Sequence, residues 1–143
     1  MLEIIVGCLF PMFLTPDLLS EYIECREVKE QVVYVAQWHD LISTYFKTED
    51  VVQAMTIVYC ESRGKETAVG RNTNGTDDVG LWQFNDDTWA WLKPKLDIIS
   101  NRKNSIISTK VAAWLVYNDG WHHWNSSKHC WKGHDNVLLS IKN

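Results

Sequence analysis

The sequence predicts an α+β domain, mainly helical with one small antiparallel hairpin or sheet. Three observations carry this. Apolar residues recur at helical spacing over most of the chain. A single Asn-Gly turn, Asn74-Gly75, stands between two short runs with strand character. The 143 residues, enough for one domain with a real core, contain no internal repeat and no low-complexity linker.

Taken in order, the chain opens with MLEIIVGCLFPMFLTPDLLSEY. Ile4 to Leu14 is apolar, too short to span a bilayer and about the length of a signal-peptide core. Glu3 stands where a basic residue is usual, and Pro11 interrupts the run. Residues 1–20 are therefore read as a signal peptide or N-terminal hydrophobic segment, and 21–143 as the folded domain. The expectation is a secreted protein without stable membrane insertion. Val28, Val32, Val35, Ile42, Tyr45 and Phe46 then predict a helix from 28 to 46, with Trp38 near its stripe. Thr48, followed by Glu49 and Asp50, reads as a cap with an acidic first turn. The helix VVQAMTIVYCES follows and should end near Gly64.

Around Asn74-Gly75, residues 68–72 and 78–85 are expected to pair as short strands. Asp86 and Asp87 are placed as caps of a short helix, TWAWL, closed by Pro94. Ile106 to Tyr117 predicts a buried helix stopped by Asn118-Asp119-Gly120, and the tail is rich in Trp and His.

Composition narrows the function. A net charge of −4 with no Lys/Arg cluster excludes a nucleic-acid surface or an anionic membrane face as the partner. Eight tryptophans exceed what a core of this size needs, which points to aromatic faces kept for a ligand. Cys8, Cys25, Cys60 and Cys130 allow three pairings, or stand as four reduced, partly buried thiols. His122, His123, His129 and His134 cluster near Cys130, but no ligand spacing among them matches a tetrahedral zinc site, so they read as surface or aromatic-packed residues. Asp97, Asn101 and Asn104 are too few for calcium. No metal and no cofactor is expected. Asn74 and Asn125 fit the N-glycosylation pattern.

The chemistry-bearing stretch is ESRGKETAVGRNTNGTDDVGLWQFND, Glu61 to Asp86. Glu61 ends an apolar helix face, where desolvation raises a carboxyl pKa and suits it to donate a proton. Asp78 follows an Asn-Thr-Asn-Gly-Thr turn rich in donors, which keeps a carboxylate ionised. Two acids in contrasting settings suit glycoside cleavage: one protonates the leaving oxygen, and the other stabilises or attacks the oxocarbenium-like centre. Trp82, Trp89 and Trp91 are placed to stack on sugar rings, and Asn72, Asn74, Gln83 and Asn85 to bond hydroxyls and amides. Trp121 or Trp124 is expected to form one cleft wall. Asp77 and Asp86 read as solvated or capping acids.

The string E-S-x5-A-x2-R-N-T-N-G-T-D-D-V-G-L-W-Q-F-N resembles the active-site segment of the lysozyme superfamily, most closely the animal c-type lysozymes, over about a fifth of the chain. Those enzymes are the type case of the paired carboxylates just described. The resemblance implies Glu61 as general acid, Asp78 as nucleophile or electrostatic stabiliser, and Asn72, Gln83, Asn85 and Trp89 as substrate-binding residues. The implied reaction is muramidase hydrolysis of the β-1,4 bond between N-acetylmuramic acid and N-acetylglucosamine. Peptidoglycan or a related N-acetylglucosamine polymer would be the partner, and the enzyme a monomer. Cys130, followed by Trp-Lys-Gly, resembles a family cysteine and implies the pair Cys60–Cys130; Cys25 resembles another with no evident C-terminal partner. The family has more cysteines than this chain, and the acidic charge departs from its strongly basic antibacterial members.

The C-terminal VAAWLVYNDGWHHW resembles transglycosylase-type relatives, which use one Glu, need no Asp nucleophile and form an anhydro sugar. That is the second enzymatic reading. A sugar-binding module without turnover is the non-enzymatic one; the presence of both Glu61 and Asp78 weighs against it.

Overall fold

The computed structural model describes residues 15–132. The apolar segment Ile4 to Leu14, Cys8 and His134 lie outside the described residues. The architecture is α+β: helices surround one core, and a three-stranded antiparallel sheet lies beside it.

The first helix, α1 (Pro16–Val35), starts well before the apolar spacing indicated. Thr15 accepts the Leu18 N–H at 3.4 Å, and Pro16 occupies the first helical position, where its missing N–H costs nothing. The helix predicted over 28–46 is divided in two. A 3₁₀ turn at Ala36–Trp38 tightens the chain before α2 (His39–Tyr45). There the Trp38 indole N–H donates to the Gly64 carbonyl at 2.8 Å, so the break carries Trp38 onto the chain just past the end of the helix that follows α2. Thr48 does not cap that helix: Thr48–Asp50 is itself a 3₁₀ turn, and no side-chain cap bond precedes α3.

Helix α3 (Val51–Ser62) forms the centre of the core through Ala54, Ile57 and Val58, all fully buried. It lies against α1, α2 and the C-terminal elements. It stops where expected. Arg63 (φ 53°) and Gly64 (φ 71°) are both left-handed, and the Arg63 N–H returns to the Tyr59 carbonyl. Ser62 is buried, and its hydroxyl donates to the Leu81 carbonyl at 2.8 Å, which ties the helix end to the sheet.

Strands β1 (Val69–Arg71) and β2 (Asp77–Val79) pair across the Asn74-Gly75 turn, in the register Gly70 to Asp78. The expected second strand over 78–85 is interrupted. Gly80 to Gln83 turns inward, burying Leu81 and Trp82 completely, and β3 (Phe84–Asn85) returns with Asp78 opposite Asn85. Arg102 fastens this turn from outside. Its guanidinium donates to the carbonyls of Asp77 at 2.9 Å and Phe84 at 2.8 Å, and to the Asp86 carboxylate at 2.5 Å.

Helix α4 (Asp86–Leu96) is capped by Asn85, whose side chain accepts from Asp87 N, and not by the aspartates themselves. Asp86 instead accepts the Asp77 N–H at 2.7 Å. Pro94 does not close the helix. Near the C-terminus it forfeits a single backbone bond, and the helix runs on to a left-handed Asp97. Helix α5 (Ser105–Asp119) has Asn104 as its cap, accepting from Ile107 N at 3.0 Å, and ends at Gly120 (φ 91°). A 3₁₀ stretch, Trp121–Ser127, leads to α6 (Lys128–Trp131).

The disulfide Cys60–Cys130 joins α3 to α6, as the resemblance implied, and Cys25 is likewise disulfide-bonded. Among the described residues no helix is long and apolar enough to cross a membrane.

Two stability predictions follow from these constraints. At Gly64 a Cβ would stand 2.1 Å from the Tyr34 carbonyl oxygen, whereas at Gly75 (φ +85°) it would meet nothing within 4 Å. Urea denaturation should show Gly75→Ala losing about 1 kcal/mol and Gly64→Ala clearly more, about 2–4 kcal/mol. Cys130→Ser opens a loop with a sequence separation of 70 residues and should cost about 4 kcal/mol in the chain-entropy view.

Candidate active site

Glu61 sits one residue before the end of α3, next to Cys60 and Ser62. Its position is set from three sides: the disulfide to α6, the Ser62 bond to Leu81, and the Trp38 bond to Gly64. Its carboxyl lies in a cleft of about 140 Å³, with Asp78, Gln83, Phe84, Asn85, Thr88, His123, Trp124 and Ser126 around it. Pockets that enclose a whole small ligand run to roughly 300–1,000 Å³. This one suits a single linkage of a polymer lying across it. A larger hollow of about 540 Å³ lies between the end of α4 and α5, lined by Ile98, Ile99 and Trp114, and it contains no pair of carboxylates.

Burial pushes the Glu61 pKa above the ordinary carboxyl range; a hydrogen bond from Ser127 opposes this, and the negative charge of Asp78 adds to it. The Ser127 hydroxyl reaches both Glu61 Oε1 and the Trp124 carbonyl, the latter at 3.1 Å. A hydroxyl has one proton to give. When Glu61 is ionised, Ser127 donates to it. When Glu61 holds its proton, Ser127 accepts from the acid and turns its own proton to Trp124. The bond is stronger to the ionised carboxylate, so it favours that state.

Asp78 is on the central strand, facing the same cleft. The Asn85 amide donates to Asp78 Oδ1 at 2.7 Å and to Thr76 Oγ1 at 2.9 Å, while Asn85 Oδ1 caps α4. Both polar groups of the Asn85 side chain are thus engaged, so it fixes the Asp78 carboxylate. Gln83 also lines the cleft, but its amide is held by the carbonyls of Ala68 at 3.1 Å and Gly80 at 2.9 Å.

The structure therefore brings Glu61, Asp78, Gln83 and Asn85 together and leaves Asn72, Asn74, Trp82, Trp89 and Trp91 elsewhere. Asn72 is exposed in the turn, bonded to Thr76 Oγ1 at 3.2 Å, and does not line the cleft. Trp89 is core, packed on Phe84 at 5.3 Å between ring centroids. Trp82 is fully buried as well, stacked on Phe46 with its indole N–H on Thr109 Oγ1 at 2.9 Å. Trp91 is exposed beneath Lys95 and outside the cleft. The expected aromatic wall comes from Trp124, whose N–H donates to the Trp82 carbonyl at 3.0 Å. Asn74 and Asn125 are both exposed.

Ser127, His123, Ser126 and Thr88 were missed as site residues. Ser127 is 66 positions from Glu61, and no local pattern marks it.

Fold and site together define a lysozyme-like domain. The family model described as the transglycosylase SLT domain matches residues 44–124, more than half of the chain, and the chain belongs to this family. It is therefore a peptidoglycan-acting domain that breaks glycosidic bonds. The matched span holds Glu61 and Asp78 and ends at Trp124, so Ser127 and Cys130 lie beyond it. No curated protein and no solved structure matches the chain.

The pKa causes give opposite, measurable signs. Ser127→Ala removes a bond that favours the carboxylate, so the Glu61 pKa should rise further. Asp78→Asn removes a neighbouring negative charge, so it should fall. Carbon NMR titration of the Glu61 carboxyl reads both without relying on activity. The proton is required for acid catalysis and is lost as pH rises through the raised pKa. The alkaline limb of activity should therefore move up in Ser127→Ala.

Proposed function

We propose that the domain is a lytic transglycosylase acting on the β-1,4 bond between N-acetylmuramic acid and N-acetylglucosamine, with Glu61 serving as acid and then as base. The observation that carries this is the partly buried carboxyl at the end of α3, held above its ordinary pKa range by desolvation and accepting a hydrogen bond from the Ser127 hydroxyl. Protonated Glu61 gives its proton to the leaving oxygen as the glycosidic bond breaks. The resulting carboxylate takes a proton from the sugar's own hydroxyl as that oxygen closes on the anomeric carbon. No water is consumed, and the product is an anhydro sugar. Asp78, with Oδ1 held by Asn85, contributes a fixed negative charge beside the developing cation.

This order reverses that of the sequence, which put hydrolysis first; the family match supports the change. Hydrolysis in the c-type manner is the second reading, and one observation favours it: Asp78 lines the same cleft as Glu61 and acts on its charge. The bonded Cys60–Cys130 pair supports an oxidising, secreted setting for either reading.

Mass spectrometry of products from purified peptidoglycan separates the two. Anhydro-muramyl ends that persist in Asp78→Asn support the transglycosylase; reducing ends that vanish in Asp78→Asn support the hydrolase. Glu61→Gln should lower cleavage by about a thousandfold in either case. Full activity in that variant would falsify both.

A further inference from the structure

At the edge of the cleft, the chain reverses at Gly120 (φ 91°) between α5 and the 3₁₀ stretch that follows. The reversal brings three side chains together that the sequence reading left apart. Asp119, the last residue of α5, directs Oδ2 toward His123 Nε2 at 2.8 Å and His122 Nε2 at 3.4 Å. The two imidazole rings lie 4.3 Å apart between centroids, and all three donor atoms fall within 4.8 Å of one another.

We propose that Asp119, His122 and His123 form a binding site for a divalent transition metal of the zinc class. Bonds of about 2.0–2.2 Å to nitrogen and carboxylate oxygen put neighbouring donors in a tetrahedral site roughly 3.3 Å apart. The two Asp119–His separations bracket that value, and small side-chain rotations bring in the third edge. Two imidazole nitrogens with one carboxylate favour zinc, cobalt, nickel or copper over calcium or magnesium, which take oxygen ligands. The histidines alone showed no ligand spacing because the third ligand is the helix-terminal aspartate, and only the Gly120 reversal turns it back on them.

Three protein ligands leave a coordination position open, as in sites that exchange ligands, not in closed structural ones. His123 is also a wall residue of the cleft that holds Glu61, packed edge-on against Trp124. A metal here is therefore held at the rim of the substrate cleft. The proposal does not rest on the reaction assigned to Glu61, and its test reads metal binding alone.

The experiment is calorimetric titration of the tag-free full chain with Zn²⁺, and with Co²⁺ as an absorbing probe. The wild type should bind one equivalent with micromolar affinity, and bound Co²⁺ should show visible bands of a low-coordinate site. Asp119 and His122 are about half exposed, so His122→Gln and Asp119→Asn should fold normally, checked by circular dichroism. Each should weaken binding by about tenfold or more. His129→Gln, on the neighbouring α6, should leave it unchanged. No one-to-one binding by the wild type, undiminished binding in either ligand variant, or an equal loss in His129→Gln would overturn the assignment.

Discussion

The site depends on where α3 stops. A carboxyl is useful as an acid near neutral pH only if it is kept out of water, and a lone carboxyl at a helix end would ordinarily turn toward solvent. Here the helix end has little freedom. The Cys60–Cys130 bridge precedes Glu61, the Ser62 hydroxyl follows it onto Leu81, and Gly64 is pinned under Trp38 with no room for a Cβ. Glu61 is thereby directed into the space between the sheet and the C-terminal turns. The serine beside it fastens the backbone, and the serine that bonds the Glu61 carboxyl comes from the far end of the chain.

The opposite wall is built with equal economy of parts. Arg102 gathers Asp77, Phe84 and Asp86, and the Asp86 carboxylate is held below its usual range, first by the Asp77 N–H. Asn85 caps α4 and orients Asp78 with the same side chain. Both residues convert a very short sheet, which has few ladder bonds of its own, into a rigid support. In such a support a polar residue of the active-site string need not touch the substrate. Asn85 faces the cleft with its side-chain amide already committed, and Gln83 with its NH2 group committed.

The tryptophans show how a composition argument loses its way without tertiary contacts. Their number suggested sugar platforms. Trp82, Trp89, Trp124 and Trp131 are instead buried, and the indoles of Trp82, Trp124 and Trp131 each donate to a named acceptor: Thr109, the Trp82 carbonyl and the Trp124 carbonyl. An indole can fill a core when its one N–H finds a partner. Of these, only Trp124 also presents a face to the cleft.

Local pattern alone was enough to read the α+β class, the end of α3 at Gly64, the Asn-Gly hairpin and the contrasting settings of Glu61 and Asp78. Each of these depends on residues within a turn or two of one another, where backbone preference and apolar spacing act directly. The break after Val35 and the split of the second strand were not legible, because packing overrode local preference at each; α4 continues through Pro94 because a proline so near the helix end forfeits only one backbone bond. Ser127 on Glu61 and Arg102 on the sheet belong wholly to the tertiary structure, whereas the turn of Asp119 onto His122 and His123 is local and depends on the backbone conformation at Gly120. The first two join residues far apart in sequence. The sequence by itself marked Glu61 as the candidate acid. Only the fold decided what partly buries that carboxyl, what faces it, and which of its neighbours are free to meet a ligand, because burial and hydrogen-bond partnership are properties of surfaces brought together by the whole chain.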